Sequence, residues 1–176
     1  MAAQHVIVTP AYALVIAPDV GWSVSRPTDV LRTLDADIAS ALDEKGLKGQ
    51  WILPTALVQS FQRNPTYATD PYKLAMEQLR SPSLVIGSRL AEPLASQLRT
   101  MIALTDARYV LAPVELTIEH TGTAHDGRGA LRLVLMDVRT SDVRWIGRVE
   151  GDASAAMGPA VTASVAAKLA DLATAP

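Results

Sequence analysis

The chain reads as one α/β (α+β) domain spanning residues 1–176. The expected architecture is a sandwich with a mixed sheet, a C-terminal antiparallel three-strand meander and helices mainly on one face. Three observations predict it. The run "AYALVIA" at 11–17, bounded by Pro10 and Pro18, has the length and apolarity of a strand buried on both faces. From Thr28 to Gly46 the apolar residues Leu31, Leu34, Ile38, Ala41 and Leu42 recur at helical spacing. After Asp106 the hydrophobic period changes from helical to two, and two further strand-like runs follow, "ALRLVLMDV", apolar on both faces except Arg132, and "VRWIGRVEG", before a closing Ala-rich segment.

In chain order, "HVIVTPAYALVIA" supplies one or two buried strands. The first long helix has Thr28 or Ser25 as its cap, Asp29, Asp35 and Asp37 in its N-terminal half where the dipole favours acids, and Gly46 as its stop. "QWILP" at 50–54 is a short strand. Thr55 opens a short helix that carries Leu57, Val58 and Phe61 on one face. "RNPTYATDPYKL" at 63–74 then interrupts the apolar pattern. Asn64-Pro65 is a turn signal, and Asp70-Pro71 has the cap-then-proline form of a helix start. The stretch reads as a defined strap, with Tyr67 and Tyr72 as amphipathic anchors. Residues 81–90 form a loop or short strand, and 92–104 a helix with Leu94, Leu98, Met101, Ile102 and Leu104 on its apolar stripe.

The strand that follows alternates Val110, Ala112, Val114, Leu116 and Ile118 with Tyr109, Leu111, Glu115 and Glu119, which predicts one strongly buried face. "GTAHDGRG" is a glycine-rich turn whose "GRG" reads as hairpin chemistry. "ALRLVLMDV" and "VRWIGRVEG" complete the meander around "RTSD". Val161, Val165, Leu169 and Leu172 mark the core face of the last helix.

Composition narrows the function. Apolar residues make up 49% and charged residues 19%, below the usual ~25%, so part of the surface is expected to meet something other than water. A net charge of -2 gives no field for nucleic acid. With no cysteine, disulfides, thiolate nucleophiles and Cys-based zinc sites are excluded. The N-terminal apolar run lacks a basic leading region and is interrupted by Thr9-Pro10, so it reads as strand rather than leader or membrane span. The expected protein is membrane-extrinsic, touching a membrane surface at most peripherally.

No catalytic constellation emerges. The three histidines are His5, His120 and His125; the last two flank a turn and lack a third ligand, so no metal site is expected. "GxSxG", "GxxxxGK[ST]" and "GxGxxG" are absent. Glu115 and Glu119 share a strand face about 13 Å apart by strand rise, too wide for a retaining glycosidase pair, and read as a solvated face. No cofactor is expected, and no enzyme. What exceeds background is arginine, twelve against four lysines. Arg132, Arg144 and Arg148 fall on adjacent hairpin strands, where they are either interface residues or simply neutralised by nearby acids. Trp145 reads as packing, and Trp22 as an exposed anchor. The candidate partner contacts are therefore Trp22, Tyr67, Tyr72, Arg132, Arg144 and Arg148.

The segment "DVRTSDVRWIGRVEG" at 137–151, followed by an amphipathic helix, resembles the strand-turn-strand of bacterial envelope proteins. These are the curli-secretion lipoproteins, penicillin-binding-protein activator lipoproteins and the N-terminal domain of the Tol-system β-propeller protein. Ser141-Asp142 stands where those families often carry Thr-Gly. The resemblance implies a non-catalytic, periplasmic α/β domain that assembles with other proteins. "RNPTYATDPYKL", "EPLASQLRTMIALTDARYVLAPVEL" and the hairpin together resemble a narrower bacterial envelope family. That likeness implies a membrane-extrinsic accessory subunit of a photosynthetic reaction-centre and light-harvesting complex; no position looks like a pigment ligand. The expected partners are protein subunits of a membrane complex. The alternative is a periplasmic small-ligand or glycan binder.

Overall fold

A proline in the middle of a central strand sets the geometry of this sheet. The structure, a computed structural model, describes residues 5–63, 69–122 and 126–175. Its strands are β1 (Val6–Val8), β2 (Ala13–Ile16), β3 (Trp51–Ile52), β4 (Tyr109–His120), β5 (Gly127–Asp137) and β6 (Asp142–Glu150). Its helices are α1 (Pro27–Glu44), α2 (Pro54–Arg63), α3 (Leu94–Ala103) and α4 (Pro159–Thr174). The sheet order is β3-β1-β4-β5-β6, with β2 also beside β4. β1 and β2 run parallel to β4, end to end along one edge; β4, β5 and β6 form the expected antiparallel meander. The mixed α/β sheet is the one the sequence predicts.

Pro113 sits in β4, which is paired on both edges, and it has no N–H to give to either ladder. The sheet accommodates it twice at the same level. Toward β5 the register shifts between Pro113 and Glu115, a bulge that leaves Val114 without an opposite residue. Toward the other edge the chain steps out of the ladder between β1 and β2. Thr9 N donates to the Leu111 carbonyl (3.1 Å) and Tyr12 N to the Pro113 carbonyl (3.0 Å). The displaced Ala11 amide donates instead to Asp35 Oδ1, 2.7 Å away on α1.

Asp35 is buried, its Oδ2 has no hydrogen-bond partner, and Arg32 Nη1 lies 3.6 Å from that oxygen. Burial pushes its carboxyl up to about 7, with the Ala11 hydrogen bond and the Arg32 charge pulling the other way.

The bulge also switches the faces of β4, which corrects the expected single buried face. Val110, Ala112 and Val114 belong to one core, with Leu94, Leu98 and Met101 of α3, Leu57 of α2 and the segment Leu74, Met76 and Leu79. Beyond the bulge Leu116 and Ile118 belong to the opposite core, with Leu34, Ile38 and Leu42 of α1 and Val161, Val165 and Leu169 of α4. α1 and α4 thus share one face and α2 and α3 the other, so the helices divide between the two faces.

Two local expectations change. The residue before α1 is Arg26, with no side-chain cap and Pro27 in the first turn; neither Ser25 nor Thr28 takes the cap position. Gly46, at φ 77°, does end the helix region. The "GRG" glycines are not turn residues. They lie inside β5 because side chains cross their backbone: a Cβ on Gly127 would sit 3.0 Å from Trp22 Cη2, and one on Gly129 2.8 Å from Val165 Cγ2 of α4. Gly151 repeats the device at the far side of α4, with Ser164 Oγ at 2.5 Å from its would-be Cβ.

Gly129→Ala is expected to lower the unfolding free energy by about 1–3 kcal/mol, measured by urea denaturation. Gly49→Ala, with nothing within 4 Å, is expected to stay within about 0.5 kcal/mol of the parent. For Asp35 the carboxyl, pushed up to about 7 in the folded protein, lies above its ordinary value of 3.8. Its contribution is present in acid and lost as pH rises through 7, with a ceiling of about 4 kcal/mol. Asp35→Asn keeps an acceptor for Ala11 and should flatten the stability profile between about pH 4 and 7, where the parent should lose stability. Parallel profiles for the two proteins would contradict this assignment.

Candidate functional site

The strands of the meander are longer than their cover on the α3 face. On that face the apolar core stops at the level of Val114, Val134 and Ile146. Beyond it the same face continues as a row Glu115–Arg132–Arg148, then Thr117–Ala130–Glu150, then Glu119 opposite Arg128. These residues enclose a groove of about 340 Å³ whose walls include Glu115, Thr117, Arg132, Ile146 and Arg148.

The charges in this row are organised. Glu115 is held by Arg80 at 2.7 Å, which also reaches Glu77 at 3.0 Å. Ala130 is small enough to let pairs cross it diagonally. Arg148 reaches Glu119, and also Glu150 at 3.3 Å, while Arg128 reaches Glu150 at 2.8 Å. Glu115 and Glu119 therefore do share a face, as their spacing predicts, but as half-buried ion-paired groups rather than solvated ones. Arg132 differs. Its Nη2 donates to the Ser81 carbonyl (3.2 Å), its Nε is buried with no hydrogen-bond partner, and it makes no ion pair among the described residues.

The same Ser81 begins a loop that runs from the groove to the sheet edge. Gly87 N donates to the Val143 carbonyl (2.8 Å), Val143 N to the Ser88 carbonyl (2.9 Å) and Leu90 N to the Ser141 carbonyl (2.9 Å), so the loop is laced onto the start of β6. Its tip presents Val85 and Ile86, 61% and 64% exposed. A positive φ of 86° at Gly87 makes the turn back to β6.

The sequence candidates separate. Arg132 and Arg148 meet in the groove. Arg144 lies at the other end of β6, 3.1 Å from Asp142 and 3.5 Å from the buried Asp137. Burial opposes ionisation of Asp137, but hydrogen bonding from Arg108 and its charge hold the carboxyl below its ordinary value. Trp22 is half-buried against the α1–α4 core and over Gly127, so the exposed-anchor expectation gives way to packing. Tyr72 is half-buried beneath the Arg32 guanidinium. Asp70 Oδ1 accepts from Tyr72 N at 3.0 Å, so the expected Asp-Pro start exists, as a 3₁₀ turn over Pro71–Lys73. Tyr67 and His125 lie outside the described residues. His120 Nδ1 accepts from Gly122 N at 3.0 Å.

Sequence reasoning missed Arg80, Ser81, Val85 and Ile86. The available signal was the apolar triplet Leu84-Val85-Ile86 between serines and a glycine, a hydrophobic run in a turn-rich stretch.

No protein-family model matches the chain, and no curated protein matches it. The chain is similar to three solved structures at low identity. Lipoprotein GNA1162 from Neisseria meningitidis is 14% identical, with a TM-score of 0.47 over 98% of this chain and 99% of that one. The PelC dodecamer from Paraburkholderia phytofirmans is 16% identical, with a TM-score of 0.44 over 96% and 86%. The LpoB C-terminal domain from Salmonella enterica is 14% identical, with a TM-score of 0.40 over 84% and 82%. At TM-scores below 0.5 such likenesses say nothing about what this chain binds, and none of them supports a photosynthetic assembly. Among the described residues no helix is long and apolar enough to cross a membrane.

Proposed function

We propose that this chain is a non-catalytic docking module of the bacterial cell envelope, peripheral to the membrane, that binds a protein subunit of a larger membrane assembly. The observation that carries the proposal is the uncovered half of the meander, a groove of matched charges continuous with a rigidly laced loop that exposes Val85 and Ile86. Protein interfaces combine such elements: an apolar centre, arginines, and a polar rim. The groove glutamates support a recognition surface rather than proton transfer, because arginines already occupy them. The envelope setting rests on the resemblance of the 137–151 hairpin and helix. A photosynthetic complex is one assembly of this kind, implied only by the narrower resemblance.

The test is stoichiometric co-purification from detergent-solubilised membranes after mild cross-linking. The double variant Val85→Asp, Ile86→Asp should lose the partner while keeping the parent's melting temperature. Arg26→Ala, at the fully exposed start of α1, should retain it. Equal capture by both variants would contradict the docking surface.

A further inference from the structure

We infer that Arg132 is an anion-recognition residue that takes a carboxylate side chain, glutamate or aspartate, from the docked protein. This rests on reading the half-face as a docking surface and adds the chemistry of its central contact. A guanidinium is a planar fork of five donors suited to two-point carboxylate binding. In this groove every other arginine is already committed: Arg80 to Glu115 and Glu77, Arg148 to Glu119 and Glu150, Arg128 to Glu150. Arg132 alone among them has no carboxylate partner, only the Ser81 carbonyl; its Nε is buried and unpartnered, as is that of the ion-paired Arg128. A buried charged donor without a partner is costly, and an entering carboxylate removes that cost.

The surroundings admit such a group. Directly opposite Arg132 on β4 stands Glu115, which would compete for it, but Arg80 draws that carboxylate away at 2.7 Å. Directly opposite on β6 stands Arg148, which Glu119 and Glu150 hold, leaving Arg132 as the free cation of the row among the described residues. The Thr117 hydroxyl donates to Glu115 Oε1 at 3.5 Å, a second hold on that carboxylate, and Ile146 offers an apolar wall for the aliphatic stem of a glutamate. The groove of about 340 Å³ accommodates one acidic side chain.

The experiment follows by NMR, on the isotope-labelled full chain, the Arg132 Nε–H resonance together with the backbone amides of Thr117 and Ile146 in the groove walls, which also report in variants that lack the Arg132 side chain. The probes are sodium acetate and two acetylated, amidated alanine pentapeptides, one with a central glutamate and one with glutamine. Sodium chloride at equal ionic strength is the control. The glutamate peptide and acetate should shift these resonances saturably, with half-saturation in the millimolar range, and the glutamine peptide should not. Arg132→Lys, which keeps the charge and loses the fork, should weaken binding roughly tenfold or more. Arg132→Gln should abolish it, with melting temperature checked for each variant. Arg26→Ala should bind as the parent does.

Equal shifts from both peptides, or from sodium chloride alone, would overturn the assignment. So would unchanged binding in a folded Arg132→Gln variant. Binding of acetate without the glutamate peptide would overturn the protein-borne ligand and favour a small acid instead. Membrane-partner capture that survives a negative peptide result would remove only the carboxylate contact and leave the docking surface standing.

Discussion

The missing amide at Pro113 organises much of this molecule. A proline in a strand paired on both edges removes the donor on the edge that its backbone polar groups face, here the side on which the Pro113 carbonyl accepts from Tyr12 N. The register shift that accommodates it turns β4 over, so that Glu115, Thr117 and Glu119 leave the face that Tyr109 and Leu111 occupy. Without that shift three polar side chains would point into the α1–α4 core, where ionised groups are expensive. With it Leu116 and Ile118 enter that core, and the carboxylates emerge on the opposite face, beyond the reach of α3. The break between β1 and β2 at the same level brings in Asp35, a buried carboxylate that holds one displaced amide.

The open half-face follows from the same constraint. The α1–α4 side is closed along the length of the meander by two long helices, and α4 comes close because Gly129 and Gly151 let it. The other side has two ten-residue helices and a chain of short turns. Those elements cover the apolar half of the face and leave the polar half to ion pairs and the Ser81–Leu90 loop. Arg132 and Arg148 become neighbours because they are opposite each other in β5 and β6, not because they are close in sequence.

Much of this was legible in the sequence. Helical spacing located α1, α3 and α4. The period of two located β4, the apolar runs either side of the "RTSD" turn located β5 and β6, and Asp70-Pro71 located a capped turn. The face switch was not legible, because Val110 to Ile118 keeps an unbroken alternation of apolar residues straight through Pro113; only a partner strand reveals which way the later ones point. The packing role of Gly127 and Gly129 was hidden for a related reason. A glycine in a strand signals either a turn or a close approach, and the helix that approaches Gly129 lies some thirty residues away in the chain. Arg132 and Arg148 could be named from composition and strand parity. Arg80, which frees Arg132 by taking Glu115, comes from a 3₁₀ segment with no pattern pointing to β4.

The central claim is that the polar half of the meander and its adjoining loop are covered in the working state. Hydroxyl-radical footprinting read by mass spectrometry, on intact cells against the purified chain, tests this most directly. Val85, Ile86 and Ile146 should be protected in cells, while Leu104, 52% exposed at the end of α3, should label equally in both. Equal labelling at all four residues would mean that this surface faces solvent where the protein works, and would contradict the account.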